Sequence, residues 1–131
     1  MNCPAAWDVA SPAKGGIASA RGLAQFYQCL LGHIAGSPFP PEVPEWMSAP
    51  QCSGDDLTLC CPTSFGCGAM LEPAALFGRG GFGHAGAGGS HAFAEPATGC
   101  SFAYVMNRME LGILPGARVQ RLVDAFVADA P

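Results

Sequence analysis

Two apolar runs, residues 91–95 (HAFAE) and 100–107 (CSFAYVMN), are separated only by Pro96-Ala97-Thr98-Gly99. Proline and glycine are turn residues, and four residues leave no room for a crossover connection. The two runs therefore read as an antiparallel hairpin. This excludes a helical bundle and a purely parallel sheet, and the rest of the chain has to be built around it.

A helical stripe lies on each side of that hairpin. Ser19 is a candidate N-cap, and Leu23, Phe26, Tyr27, Leu30 and Leu31 recur at helical spacing until Gly32 ends the run. After Pro115, Val119, Leu122, Val123, Phe126 and Val127 repeat the pattern, which predicts a last helix over 117–129. Residues 1–16 read as irregular. Residues 35–52 carry five prolines and read as a loop with at most a short helix near 42–47. Residues 56–61 (DLTLCC) and 65–71 (FGCGAML) read as strands. The glycines of the second suggest close approach of another backbone or a ligand. Residues 78–90 are dense in glycine and read as a loop. Adjacent strands, tight turns and flanking helices make the fold class α+β, an antiparallel sheet covered by helices.

Length fits one domain, yet Leu, Ile, Val and Phe make up only 27 of the 131 residues, against 22 Ala, 18 Gly and 12 Pro. The core is expected to be thin. No apolar run is long enough to cross a membrane. Nothing at the start of the chain resembles a signal peptide, which points to the cytoplasm. A net charge of −4, with six Lys and Arg spread along the chain, speaks against nucleic acid and anionic membranes as partners.

The seven cysteines form no C-x-x-C pair, and no histidine lies at zinc-ligand spacing from another. They read as small buried hydrophobes, with no metal and no disulfide framework. Ser11-Pro12-Ala13-Lys14 matches S-x-x-K, but Gly15-Gly16 follow where an apolar helix should continue. It reads as a chance match in a loop. Gly78-Arg79-Gly80-Gly81-Phe82-Gly83 fits G-x-G-x-x-G without the strand, helix and acidic residue that a dinucleotide site needs. Asp55-Asp56 reads as a solvated turn, His33 as a helix-end residue, His91 as a solvent-facing strand residue, and Trp7, Trp46 and Tyr104 as core or interface aromatics. His84-Ala85-Gly86 keeps two readings. It either presents backbone N–H groups and an imidazole to a substrate, or caps a turn.

Taken together, four segments are more specific than any one of them. GGIASARGLAQFYQCLLG, SGDDLTLCCPTSFGCGAMLE, FGHAGAGGSHAFAEPATGCSFAYVMNRME and ARVQRLVDAF follow in an order that resembles the C-terminal part of the class C β-lactamase-related serine hydrolases. That group includes penicillin-binding proteins and family VIII esterases. The resemblance runs from Pro12 to the C-terminus and implies a partial β-lactamase/transpeptidase-like fold, with 1–16 as leader and 17–131 as the family-like region. It implies that His84, Ala85 and Gly86 occupy the third motif, a K-T-G or H-x-G triad on an edge strand, and bind substrate.

The family's own S-x-x-K and Tyr-x-Asn lie upstream of everything matched. No catalytic residue, cofactor or metal is therefore assigned. The implied role is that of a pocket wall in a hydrolase acting on small-molecule esters or amides through an acyl-enzyme, inactive alone. The implied partners are a second copy or a missing N-terminal half. The alternatives are a non-catalytic binding or strand-pairing module, or a truncated gene product.

Overall fold

The computed structural model describes residues 4–9 and 16–131. Its elements are α1 (Pro4–Trp7), α2 (Ala20–Leu30), α3 (Val43–Ser48), β1 (Cys52–Asp56), β2 (Cys61–Phe65), β3 (Met70–Glu72), a 3-10 turn (Ala74–Leu76), β4 (Phe82–Ala85), β5 (His91–Glu95), β6 (Cys100–Tyr104) and α4 (Ala117–Asp129). The six strands form one antiparallel sheet in chain order, β1 to β6. Each strand thus pairs with its neighbours in sequence, as short connections favour. The hairpin expected at 91–107 is β5–β6, with His91 opposite Tyr104 and Glu95 opposite Cys100.

Helices cover both faces of the sheet. On one face Tyr27 and Leu30 of α2 pack on Ala69, Phe82, Ala92 and Ala94. On the other, Val119 and Val123 of α4 pack with Met70, Leu76, Phe77 and Phe93. Strand β5 is buried along its whole length because it lies between both helices. Its residues alternate, with Ala92 and Ala94 under α2 and Phe93 under α4. The alanines lack bulk, so α2 can lie close to the sheet. Phe93 supplies volume on the opposite side, where its ring stacks on Phe102 at 5.3 Å and meets Phe77 and Phe126 edge-on. Along β5, alanine thus serves the α2 face and phenylalanine the α4 face.

Helix α2 begins as expected: the Ser19 side chain accepts a hydrogen bond from the Gly22 N–H at 3.1 Å. Gly32 follows the helix in the left-handed region at φ 76°. Several other expectations are corrected. Residues 56–61 are not a strand. Asp56 ends β1, accepts from the N–H groups of Thr58 and Leu59, and so closes the turn into β2. Residues 65–71 likewise straddle the turn between β2 and β3. Of the glycines there, Gly66 lies against the α3 backbone, where a Cβ would sit 2.1 Å from the Met47 carbonyl oxygen. Gly68 has open space and a positive φ of 77°, as a turn requires.

The glycine-dense stretch conceals β4. The leader is not wholly irregular, since α1 is a single helical turn. His91 is not solvent-facing: it is 1% exposed, on the α4 side of β5. None of the six cysteines among the described residues is buried; Cys52, Cys60 and Cys67 are exposed and Cys29, Cys61 and Cys100 half-buried, all as free thiols. Most of them sit on edge strands or in turns, outside the two packed faces. Among the described residues, no helix is long and apolar enough to cross a membrane.

Candidate functional site

A cleft of about 420 Å³ opens where the C-terminal end of β4 meets the start of α2. His84, Ala85 and Gly86 form one wall, and Ile17, Leu23 and Phe26 stand across from them. All three residues singled out by the sequence therefore lie in one cavity. Strand β4 is interior to the sheet rather than an edge strand. It is nevertheless locally open, because β3 reaches it only at Met70 opposite Gly83. Among the described residues, His84 and Ala85 have a strand partner on the β5 side alone.

The His84 Nδ1 lies 2.7 Å from the carbonyl oxygen of Ala85. A carbonyl can only accept, so Nδ1 carries the proton and Nε2 is the ring's other nitrogen, without a proton in neutral imidazole. Gly86 closes a tight loop. Its N–H donates to Ser90 O at 2.7 Å, and its carbonyl accepts from the Gly89 N–H at 3.0 Å. A Cβ at Gly86 would meet Ser90 Oγ, a hydroxyl that can rotate aside, so the loop is held by its backbone hydrogen bonds and not by the glycine. Beyond it, Gly88 exchanges backbone hydrogen bonds with the 110–112 segment, to Gly112 O at 3.1 Å and from Glu110 N at 2.9 Å. The salt bridge from Arg118 to Glu110, 3.1 Å, ties that segment to α4.

Tyr27 is a site residue that sequence reasoning did not single out. It was legible only as one member of the apolar stripe of α2. Its ring packs near Phe82, and its hydroxyl meets the backbone of His84. Burial pushes its pKa up to about 12, against a smaller opposing effect of that backbone contact. The phenol therefore stays protonated and serves as a neutral hydrogen-bonding group behind β4.

The remaining candidates lie elsewhere. His33 sits past the far end of α2, with Nδ1 3.1 Å from Gln28 Oε1. Asp55 and Asp56 are on β1, at the opposite edge of the sheet from β6. Trp46 is half exposed on α3. The G-x-G-x-x-G match runs from a turn into β4 with no helix after it. Ser11 and Lys14 fall outside the described residues. Among the described residues, no group of three His, Cys, Asp or Glu side chains could hold a metal ion.

The family model described as Beta-lactamase matches residues 1–124. Among solved structures, a novel penicillin-binding protein homolog from Caulobacter crescentus is similar with a TM-score of 0.75 and 37% identity, over 85% of this chain and 32% of that one. A family VIII carboxylesterase is similar with a TM-score of 0.73 and 29% identity, over 81% of this chain and 30% of that one. EstA from Arthrobacter nitroguajacolicus Rue61a follows at 0.69 and 31%, over 85% and 32%. No curated protein matches. This chain spans about a third of the length of the solved relatives.

Proposed function

Because the chain belongs to the beta-lactamase family, we propose that its cleft is the substrate-binding wall of a β-lactamase-related serine hydrolase acting on small-molecule esters or amides. The observation that carries this reading is the meeting of His84, Ala85 and Gly86 with the start of α2 around one open cavity. A strand end left open on one side among the described residues can align an extended acyl group by backbone hydrogen bonds, as added strands do. Tyr27 holds the backbone of His84 from behind, and the Gly86–Ser90 loop fixes the strand end. In the acyl-enzyme chemistry that the resemblance implies, a serine attacks the carbonyl, a lysine and a tyrosine move protons, and water releases the acyl group. None of those three roles is assigned to a residue of this chain. Loss of one member of such a unit already costs orders of magnitude in rate.

The chain alone is therefore expected to bind but not to turn over. The test is purified chain with a chromogenic β-lactam and a nitrophenyl ester, expected to show no hydrolysis above buffer. Hydrolysis that disappears in Ser11→Ala would overturn this assignment and make Ser11 the nucleophile.

A second reading rests on β6, the last strand of the sheet. Its sequence CSFAY carries no charge, whereas β1 at the other edge carries Asp55 and Asp56. An uncharged edge is the one suited to pair with a further strand, from a second copy or from another segment of a longer domain. Size-exclusion chromatography separates the cases: a monomer at all concentrations speaks against self-pairing.

A further inference from the structure

Resting on the cleft assignment above, we infer that, with the His84 imidazole neutral, the group of the ligand that faces it is an uncharged hydrogen-bond donor, an amide N–H or a hydroxyl, and that a carboxylate is disfavoured there. The Nδ1–H is already committed to Ala85 O at 2.7 Å. Neutral imidazole then has only its Nε2 lone pair to offer, which accepts and cannot donate. A carboxylate brings only acceptors, so it would meet that lone pair with another.

Apart from the Ser90 hydroxyl, which can donate or accept, the surroundings offer little to an anion. Ile17, Leu23, Phe26 and Val105 give the cleft an apolar wall. Ile17 is 72% exposed and Phe26 46%, so their apolar surface is available to a ligand. The buried Tyr27 phenol is neutral and turned to the His84 backbone. The backbone N–H of Gly86 is paired with Ser90 O and is not open to an anion. The ligand that fits is thus an apolar chain ending in a neutral donor.

The test uses the whole isotopically labelled chain at about pH 8, above the ordinary imidazole range. A two-bond nitrogen–proton spectrum is expected to show His84 protonated on Nδ1; protonation on Nε2 overturns the inference. Butyramide and butyrate are then titrated in parallel, with resonances of Ile17, His84 and Val105 as readout. Butyramide is expected to bind about tenfold more tightly, the scale set by leaving a polar group unmatched. His84→Ala is expected to bring the two within about twofold, since that contact is gone. Butyrate binding as well as butyramide, or a preference that survives His84→Ala, overturns the inference and leaves the cleft assignment standing. Absence of shifts with both ligands overturns the cleft assignment and the inference together.

Discussion

The Nε2 of His91 lies 2.5 Å from the carbonyl oxygen of Leu76, inside the core between β5 and the turn that precedes β4. The carbonyl can only accept, so Nε2 carries the proton. The Nδ1 is buried and, among the described residues, makes no hydrogen bond of normal geometry; the backbone of His84 is the polar group that bears on the ring besides Leu76. Phe77, Phe93 and Phe102 surround the ring. One aromatic core thus contains a neutral imidazole, and protonating it would place a charge there.

This has a consequence for pH dependence. Burial lowers the His91 pKa, and the neighbouring charge of His84 acts in the same direction; the backbone of Leu76 and His84 opposes them. The folded pKa lies below the unfolded one, so the unfolded chain binds more protons as pH falls past about 6.5. Stability is complete above that pH and is lost as pH drops through the folded value. Melting temperature measured from pH 8 downward should fall on the acid side, and His91→Phe should flatten that part of the curve. An unchanged curve in the variant would assign the acid sensitivity to other groups.

Phe93 is fully buried among Phe77, Phe102 and Phe126. Phe93→Ala leaves a cavity that rigid neighbouring rings cannot fill. It should cost about 3–5 kcal/mol in urea unfolding. Leu57→Ala, at a side chain 93% exposed, should stay within about 0.5 kcal/mol.

Gly83 and Gly68 should respond to alanine for different reasons. At Gly83 a Cβ would lie 2.2 Å from the Ala92 carbonyl oxygen, backbone of the paired strand β5. The two strands would have to separate beside the cleft, so both stability and ligand shifts at His84 should be lost. At Gly68 there is open space and a left-handed backbone. Gly68→Ala should cost only about 1–2 kcal/mol and leave the cleft unchanged.

Ser19 caps the helix that carries Leu23, Phe26 and Tyr27 into the cleft. Ser19→Ala should destabilise the chain by about 1 kcal/mol. Hydrogen exchange should locate the effect in the first turn of α2, with the β5–β6 amides unaffected.

The sequence revealed the elements whose signals are local. The Ser19 cap, the helical stripes and the Pro96–Gly99 turn each report on their own few residues, and α2, α4 and β5–β6 stand where they point. The strands between them were harder because their cues are set by partners. Residues 56–61 looked like a strand through Leu57 and Leu59, yet the carboxylate of Asp56 folds them into a turn. Strand β4 was hidden because glycine is a loop residue in isolation; Gly83 is there because β5 passes too close for a side chain. His91 alternates with alanine, and alternation implies one wet face only when one face is uncovered. Here α2 and α4 cover both. Of the candidate site, His84, Ala85 and Gly86 were legible through their resemblance to a known motif. Tyr27 was not, because its role depends on a backbone group more than fifty residues away.

The central claim is that the end of β4 and the start of α2 form a ligand-binding cleft. Backbone-amide shift mapping of the labelled chain with 4-nitrophenyl butyrate tests it most directly. Saturable shifts centred on Ile17, Leu23, His84, Ala85 and Gly86, weakened in His84→Ala, are the predicted result. Shifts centred instead on the groove of Arg79, Gln120 and Asp124 beside α4, or no saturable shifts at all, would contradict it.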